Sequence, residues 1–190
     1  MKIKNENQTT GMIQKSDEAV EIFNQGYNCC QAILAAFAPA LGLDKTSSLK
    51  LATGFPGGLG YQGENCGAVI GGYMVLGLLA GNSKASDELR KEMTYGLIRE
   101  FTAEFKKRHK FTSCNDLLGV SIETQEGYDE ATESGKFDKL CPEFVKDAAA
   151  ILEKQIQQYT TMKSESYFNS IASEWDEVRQ SFFSEKIRDE

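Results

Sequence analysis

The chain has 190 residues, 21 Lys and Arg against 28 Asp and Glu, and a net charge of -7. A chain this long removes roughly two thirds of its surface from water on folding, so a sizeable core forms without staples. The acidic balance excludes a general attraction for nucleic acid or anionic lipid, and neither partner is expected. Residues 1–14 carry lysines with no apolar run behind them, which reads as a flexible polar leader and not a secretory signal. The expected location is cytoplasmic. In a reducing compartment, cysteines at 29, 30, 66, 114 and 141 are buried, metal-binding or redox-cycling more often than permanently bridged.

The four-cysteine region is expected over 15–160, as an all-α, single compact helical domain. "SDEAVEIFNQGYN" starts a helix with Ser16 as cap, Asp17 and Glu18 in its first turn, and a stop near Gly26. "NCCQAILAAFAPALGLD" starts another at once, Asn28 capping while Gln31 reaches back, with Pro39 set to bend or shorten it and Gly42 to close it. "TSSLKLATGF" predicts a short helix, and "PGGLGYQGEN" is too rich in glycine for regular structure.

The run from Gly67 to Gly81 is long, apolar and without period-two alternation, and predicts a buried helix too short to span a membrane. Gly67 and Gly71 share one face of it, beside Ala68 and Gly72, and invite the Ala-lined 29–40 helix to approach closely. "SDELRKEMTYGLIREFTAEFKKRHK" predicts a helix capped by Ser86, with Arg99 and Glu100 exposed and His109 in a solvated basic end. "TSCNDLLG" is a turn or two capped by Ser113. The acidic stretch from Val120 to Leu140 reads as loop, without the paired geometry of acid–base chemistry. "CPEFVKDAAAILEKQIQQY" reads as a helix with Pro142 at its first position.

These assignments place Cys29, Cys66, Cys114 and Cys141 at four helix N-termini, Cys141 as the cap itself. There, unpaired N–H groups and the positive end of the helix dipole favour thiolate over thiol. Cys30 shares a stripe with Ile33, Leu34 and Phe37 and reads as core; adjacent helical residues face different partners, so Cys29 and Cys30 are not a pair. No CxxC, CxxCH or zinc-knuckle spacing occurs, so spacing alone leaves open whether the four are a site or cysteine-containing core.

"GYNCCQAILAAF", "GFPGGLGYQGENCGAVIGG", "FTSCNDLLG" and "CPEFVKDAAAILE" together resemble the redox-active family named for its cysteine pattern, a Cys, a GCAxxG-like element and two further cysteines. The resemblance runs from about residue 15 to about 157. It departs at "NCGAVIG", aligned from Cys66 to Gly71, with Asn65 where the family name has Gly. It implies a thiol redox or electron-transfer role for Cys29, Cys66, Cys114 and Cys141, with attacking and resolving cysteines unassigned. The alternative is that the same four thiolates hold zinc or an iron–sulfur cluster.

The glycines of the preceding loop and helix start, Gly58, Gly60, Gly63 and Gly67, are candidates to bring backbone N–H groups to a bound group. The geometric expectation is that the four sulfurs converge on one pocket, walled in part by "PGGLGYQGE", with Cys30 turned into packing. Within the helical extension expected over 161–190, residues 165–190, "ESYFNSIASEWDEVRQSFFSEKIRDE", resemble the opening helices of class I S-adenosylmethionine-dependent methyltransferases. No strand and Gly-rich turn follow it, so no complete S-adenosylmethionine site is expected. The expectation is instead a fragment of a longer fusion, with the domain as a regulatory or interaction platform for that enzyme. The tail's aromatic face, including Tyr167, Phe168 and Trp175, needs an apolar surface, either its own domain or a second copy in a homodimer. A redox partner protein is the other expected contact.

Overall fold

The computed structural model describes residues 15–162. The leader over 1–14 and the aromatic segment from Tyr167 onward, with the methyltransferase and dimer expectations that rest on it, lie outside the described residues. The chain divides into two units, Met1–Gln155 and Ile156–Glu190, and the architecture below is that of the first. Among the described residues the fold is all-α: α1 Lys15–Asn24, α2 Cys29–Phe37, α3 Lys45–Ala52, α4 Gly67–Ala80, α5 Glu88–His109, α6 Cys114–Leu118, α7 Gln125–Glu133 and α8 Lys136–Met162. No described helix is long and apolar enough to cross a membrane.

The capping box at Asn28 forms in both directions. Its side chain accepts from the Gln31 backbone N–H at 2.9 Å, and Gln31 Oε1 accepts from the Asn28 N–H at 3.0 Å. Asn28 Nδ2 also donates to the Ala52 carbonyl at 3.2 Å, which ties the start of α2 to the end of α3. Pro39 acts as expected: α2 ends at Phe37 and a 3-10 turn, Ala38–Leu41, carries the chain to Gly42 in the left-handed region.

Helix α2 is the centre of the core, packed by α1, α3 and α4. The glycines of α4 make its contact with α2 possible. A Cβ on Gly71 would sit 2.9 Å from Ile33 Cβ and 3.1 Å from the Cys30 carbonyl, and one on Gly67 would meet the Cys29 sulfur at 2.6 Å. The glycine face therefore meets Cys29, Cys30 and Ile33 of α2, the helix expected to approach it. Gly72 looks the other way, where a Cβ would fall 2.5 Å from Phe101 Cζ of α5. Phe101, Phe105, Val145, Ala148 and Leu152 are fully buried between α5 and α8, and each large side chain so buried stabilises the fold by roughly 1.5–3 kcal/mol.

Four expectations change. The acidic stretch contains α7, capped by Thr124, whose hydroxyl accepts from the Gly127 N–H at 3.1 Å. Its buried face is only Gly127 and Ala131, with Tyr128 half-buried, too little apolar content to announce a helix. Helix α8 begins at Lys136, after Gly135 in the left-handed region, and runs through Pro142. His109 is not solvated: its side chain is 8% exposed, lies between Phe105 and Phe144, and has Nε2 2.8 Å from Asp147 Oδ2. That contact lacks the alignment of a hydrogen bond. The cap of α5 is Asp87 and not Ser86, while Arg99 and Glu100 are exposed as expected.

Candidate functional site

The loop between α3 and α4 and the segment leading into α6 are zipped together by backbone. Cys66 N–H donates to the Thr112 carbonyl at 2.7 Å, Cys114 N–H to the Glu64 carbonyl at 2.7 Å, and Asn115 N–H to the Gly63 carbonyl at 3.1 Å. Asn65 and Ser113 form the bridge between the two segments, and the Ser113 hydroxyl adds a bond to the Gly63 carbonyl at 3.0 Å. This short ladder holds Cys66 and Cys114 beside one another although 48 positions, 114 less 66, separate them. Side-chain packing alone leaves more freedom than a paired backbone.

Cys29, Cys66, Cys114 and Cys141 all line one open cavity of about 460 Å³; Cys30 does not. All five are free thiols, and Cys30 is completely buried among apolar side chains. Further walls come from Phe23, Tyr27, Pro56, Gly57, Tyr61 and Phe137, so the "PGGLGYQGE" loop contributes as expected. Gly58, Gly60, Gly63 and Gly67 do not line the cavity. Their role in the structure is packing: a Cβ would strike the Glu64 backbone from Gly58 at 2.3 Å, the Asn115 side chain from Gly63 at 2.2 Å, and the Cys29 sulfur from Gly67. Gly60 has a φ of 64°, and a Cβ there would make only an ordinary contact with the Gly54 carbonyl at 3.8 Å, so the turn is what requires it.

The four cysteines are not equivalent. Cys29 is the first residue of α2, and its thiol is lowered below its ordinary value of 9.0. The Cys66 thiol, donating to the Cys29 sulfur, is the main cause. Burial works against it, and the N–H groups of Cys29, Cys30 and Ala68 add to the lowering. Those three N–H groups belong to the first turns of α2 and α4, the positions that helix geometry leaves without intrahelical acceptors. Two helix starts thus converge on one sulfur. Cys66, the cap residue of α4, holds the proton: donation to Cys29 and burial push its thiol well above the ordinary range.

The expectation of an activated thiol at each of four helix starts is therefore corrected at three positions, Cys66, Cys114 and Cys141. Cys114 does begin α6, but burial, assisted by the charge on Cys29, pushes it up to about 12, more than a five-residue helix offsets. Cys141 lies inside α8, five positions beyond Lys136, because Gly135 and not Pro142 marks the helix start. With no helix terminus to favour its charge, burial raises its thiol strongly. Among the described residues no group of three or more His, Cys, Asp or Glu side chains is arranged to hold a metal ion.

A family profile described as "Putative redox-active protein (C_GCAxxG_C_C)" matches residues 27–155. The chain belongs to this family. No curated protein and no solved structure gave a match. The C_GCAxxG_C_C match covers all five cysteines and ends before the tail, so the methyltransferase resemblance of the tail has no support from it. The family's description gives the chain a general redox role.

One contributor to the cavity escaped the sequence reading. Tyr61 has a φ of 66° and Leu59 a φ of 63°, left-handed conformations that cost a non-glycine residue roughly 1–2 kcal/mol each. They aim the Tyr61 ring at the cavity, where it packs edge-on against Tyr128 with centroids 5.2 Å apart. No spacing rule announces a tyrosine forced into that conformation; the only signal is its place among four loop glycines.

Proposed function

We propose that the chain carries out thiol–disulfide exchange, with Cys29 as the attacking thiolate and Cys66 as its proton-holding and resolving partner. The supporting observation is that Cys29 and Cys66 line one open cavity in which the first turn of α4 abuts the Cys29 sulfur, and the Cys29 thiol is lowered there, chiefly by Cys66. Cys29 attacks one sulfur of a disulfide RSSR, forming a Cys29–SR mixed disulfide and releasing RS⁻, which takes the Cys66 proton. The Cys66 thiolate then attacks Cys29 sulfur, closing a Cys29–Cys66 disulfide and expelling the second RS⁻, protonated from solvent. Two electrons pass from the protein dithiol to the disulfide. Cys114 and Cys141 stay protonated as cavity walls during this step.

The test is mild oxidation of the reduced protein with hydroxyethyl disulfide, followed by thiol counting and peptide mapping. The expected result is loss of two thiols with a Cys29–Cys66 bridge; Cys66→Ser stops at a mixed disulfide on Cys29, and Cys29→Ser does not react. A bridge between other positions, or a Cys29 no faster than Cys30, overturns the assignment. The second reading, metal or iron–sulfur ligation by Cys29, Cys66, Cys114 and Cys141, is favoured by one observation, that all four sulfurs face the same cavity. Anaerobic purification with metal analysis separates the two: stoichiometric metal with all four thiols protected from alkylation supports ligation over exchange.

A further inference from the structure

The walls of the cavity carry a bias in charge. Among the described residues that line it, the only ionisable side chain besides cysteines and tyrosines is Asp138, exposed at the mouth; no Lys, Arg or His takes part. Asp138 lies near enough to Cys141 to act on its thiol. Aromatic rings supply much of the remaining wall: Phe23 and Tyr27 at the α1–α2 corner, Tyr61 on its left-handed turn, and Phe137 at the start of α8. The Cys29 sulfur also lines the cavity, and its thiol is lowered from the ordinary range.

The Asp138 carboxylate, the ring faces of the walls and the Cys29 thiolate that the exchange reading requires all attract positive charge. Coulomb attraction acts at the carboxylate and the thiolate, and ring quadrupoles act along the walls. An anionic disulfide meets the same groups with the sign reversed and finds no described cation to anchor it. We infer that the substrate class of this cavity is a cationic disulfide, one with ammonium or guanidinium groups near its sulfurs. This assignment rests on the exchange reading above and adds substrate selection to it. The chemical step is unchanged: Cys29 displaces one half of the cationic disulfide, Cys66 closes the bridge, and both halves leave as thiols.

The experiment measures the rate of Cys29–Cys66 bridge formation with three small disulfides of the same length: cystamine, with two ammonium groups; hydroxyethyl disulfide, neutral; and dithiodiglycolate, with two carboxylates. Each rate is divided by the rate of that reagent with a free thiol at the same pH, which removes intrinsic reactivity. The expected order is cationic, neutral, anionic, with about a tenfold span at low salt that shrinks as salt screens it. Asp138→Asn narrows the span, whereas Glu143→Gln, which removes an exposed charge outside the cavity lining, leaves it unchanged. Circular dichroism of both variants confirms that they fold. Equal rates, the reverse order, or equal effects of the two variants overturn the substrate assignment while leaving exchange standing. Failure of all three reagents to bridge Cys29 to Cys66 overturns both.

Discussion

At the scale of the residue, the central feature is a pair of neighbouring buried thiols shifted in opposite directions, Cys29 down and Cys66 up. Cys29 and Cys66 both suffer desolvation, and what separates them is who donates: Cys66 gives its S–H, while Cys29 collects N–H groups of α2 and α4. Replacing Cys66 by alanine removes the largest influence that lowers Cys29. In Cys66→Ala the midpoint of the pH profile for iodoacetamide alkylation at Cys29 should move upward, and the rate at pH 7 should fall, although the new cavity is roomier. A midpoint that stays put would mean that the backbone N–H groups alone set the thiol. The sequence carried part of this. Asn28, Asn65 and Ser113 locate three helix starts beside cysteines, but burial opposes every one of those helix ends, and burial is a property of packing that no single spacing reports. Cys141 reads as a cap in the sequence because Pro142 suits a first-turn position, whereas six helical residues precede that proline in α8.

At the scale of the element, the contact between α2 and α4 decides whether the pair forms at all. Gly67 is the residue that lets the first turn of α4 reach the Cys29 sulfur, since an added Cβ would lie 2.6 Å from it and 2.7 Å from the Phe55 carbonyl. Neither neighbour is the free end of a flexible side chain: one is held by the bond from Cys66 and the other is backbone. Gly67→Ala should therefore destabilise the fold by about 1–3 kcal/mol and break the difference in alkylation rate between Cys29 and Cys30. Gly77 lies in the same helix with nothing within 4 Å of its missing Cβ, and Gly77→Ala should stabilise by about 0.5–1 kcal/mol with no effect on either thiol. Urea denaturation of the two variants measures the contrast; a Gly67→Ala protein as stable as the parent would show that α4 can slide. The spacing of Gly67 and Gly71 signalled close packing in advance. The partner surface was not readable in the same way, because α2 is apolar on nearly every side, with Cys29 to Phe37 all buried except Gln31.

At the scale of the whole molecule, five buried thiols tie stability to pH on the alkaline side. In the unfolded chain they titrate near 9.0, whereas in the folded chain Cys30 and Cys114 rise to about 12 and Cys66 and Cys141 rise as well. As pH climbs past 9 the unfolded chain loses protons that the folded chain keeps, so these four contribute stability below pH 9 that is lost progressively toward their folded values. Cys29 works in the opposite sense: its lowered thiol contributes stability above pH 9 that is lost as pH falls through its folded value. Cys30 isolates the effect, because it lies outside the cavity, is completely buried, and is raised mainly by desolvation with the charge on Cys29 second. At pH 8, Cys30→Ala should be less stable than the parent by about 1 kcal/mol for the lost sulfur. Between pH 9.5 and 11.5 the parent, under reducing conditions, should lose up to about 1.4 kcal/mol per pH unit more than the variant, so that the two stability curves converge and then cross. Lysines and tyrosines titrate in the same range but are common to both proteins and cancel in the difference. Urea midpoints at pH 8, 9.5 and 10.5 supply the comparison, and curves that stay parallel across that range would show that Cys30 ionises in the folded protein as readily as in the unfolded one.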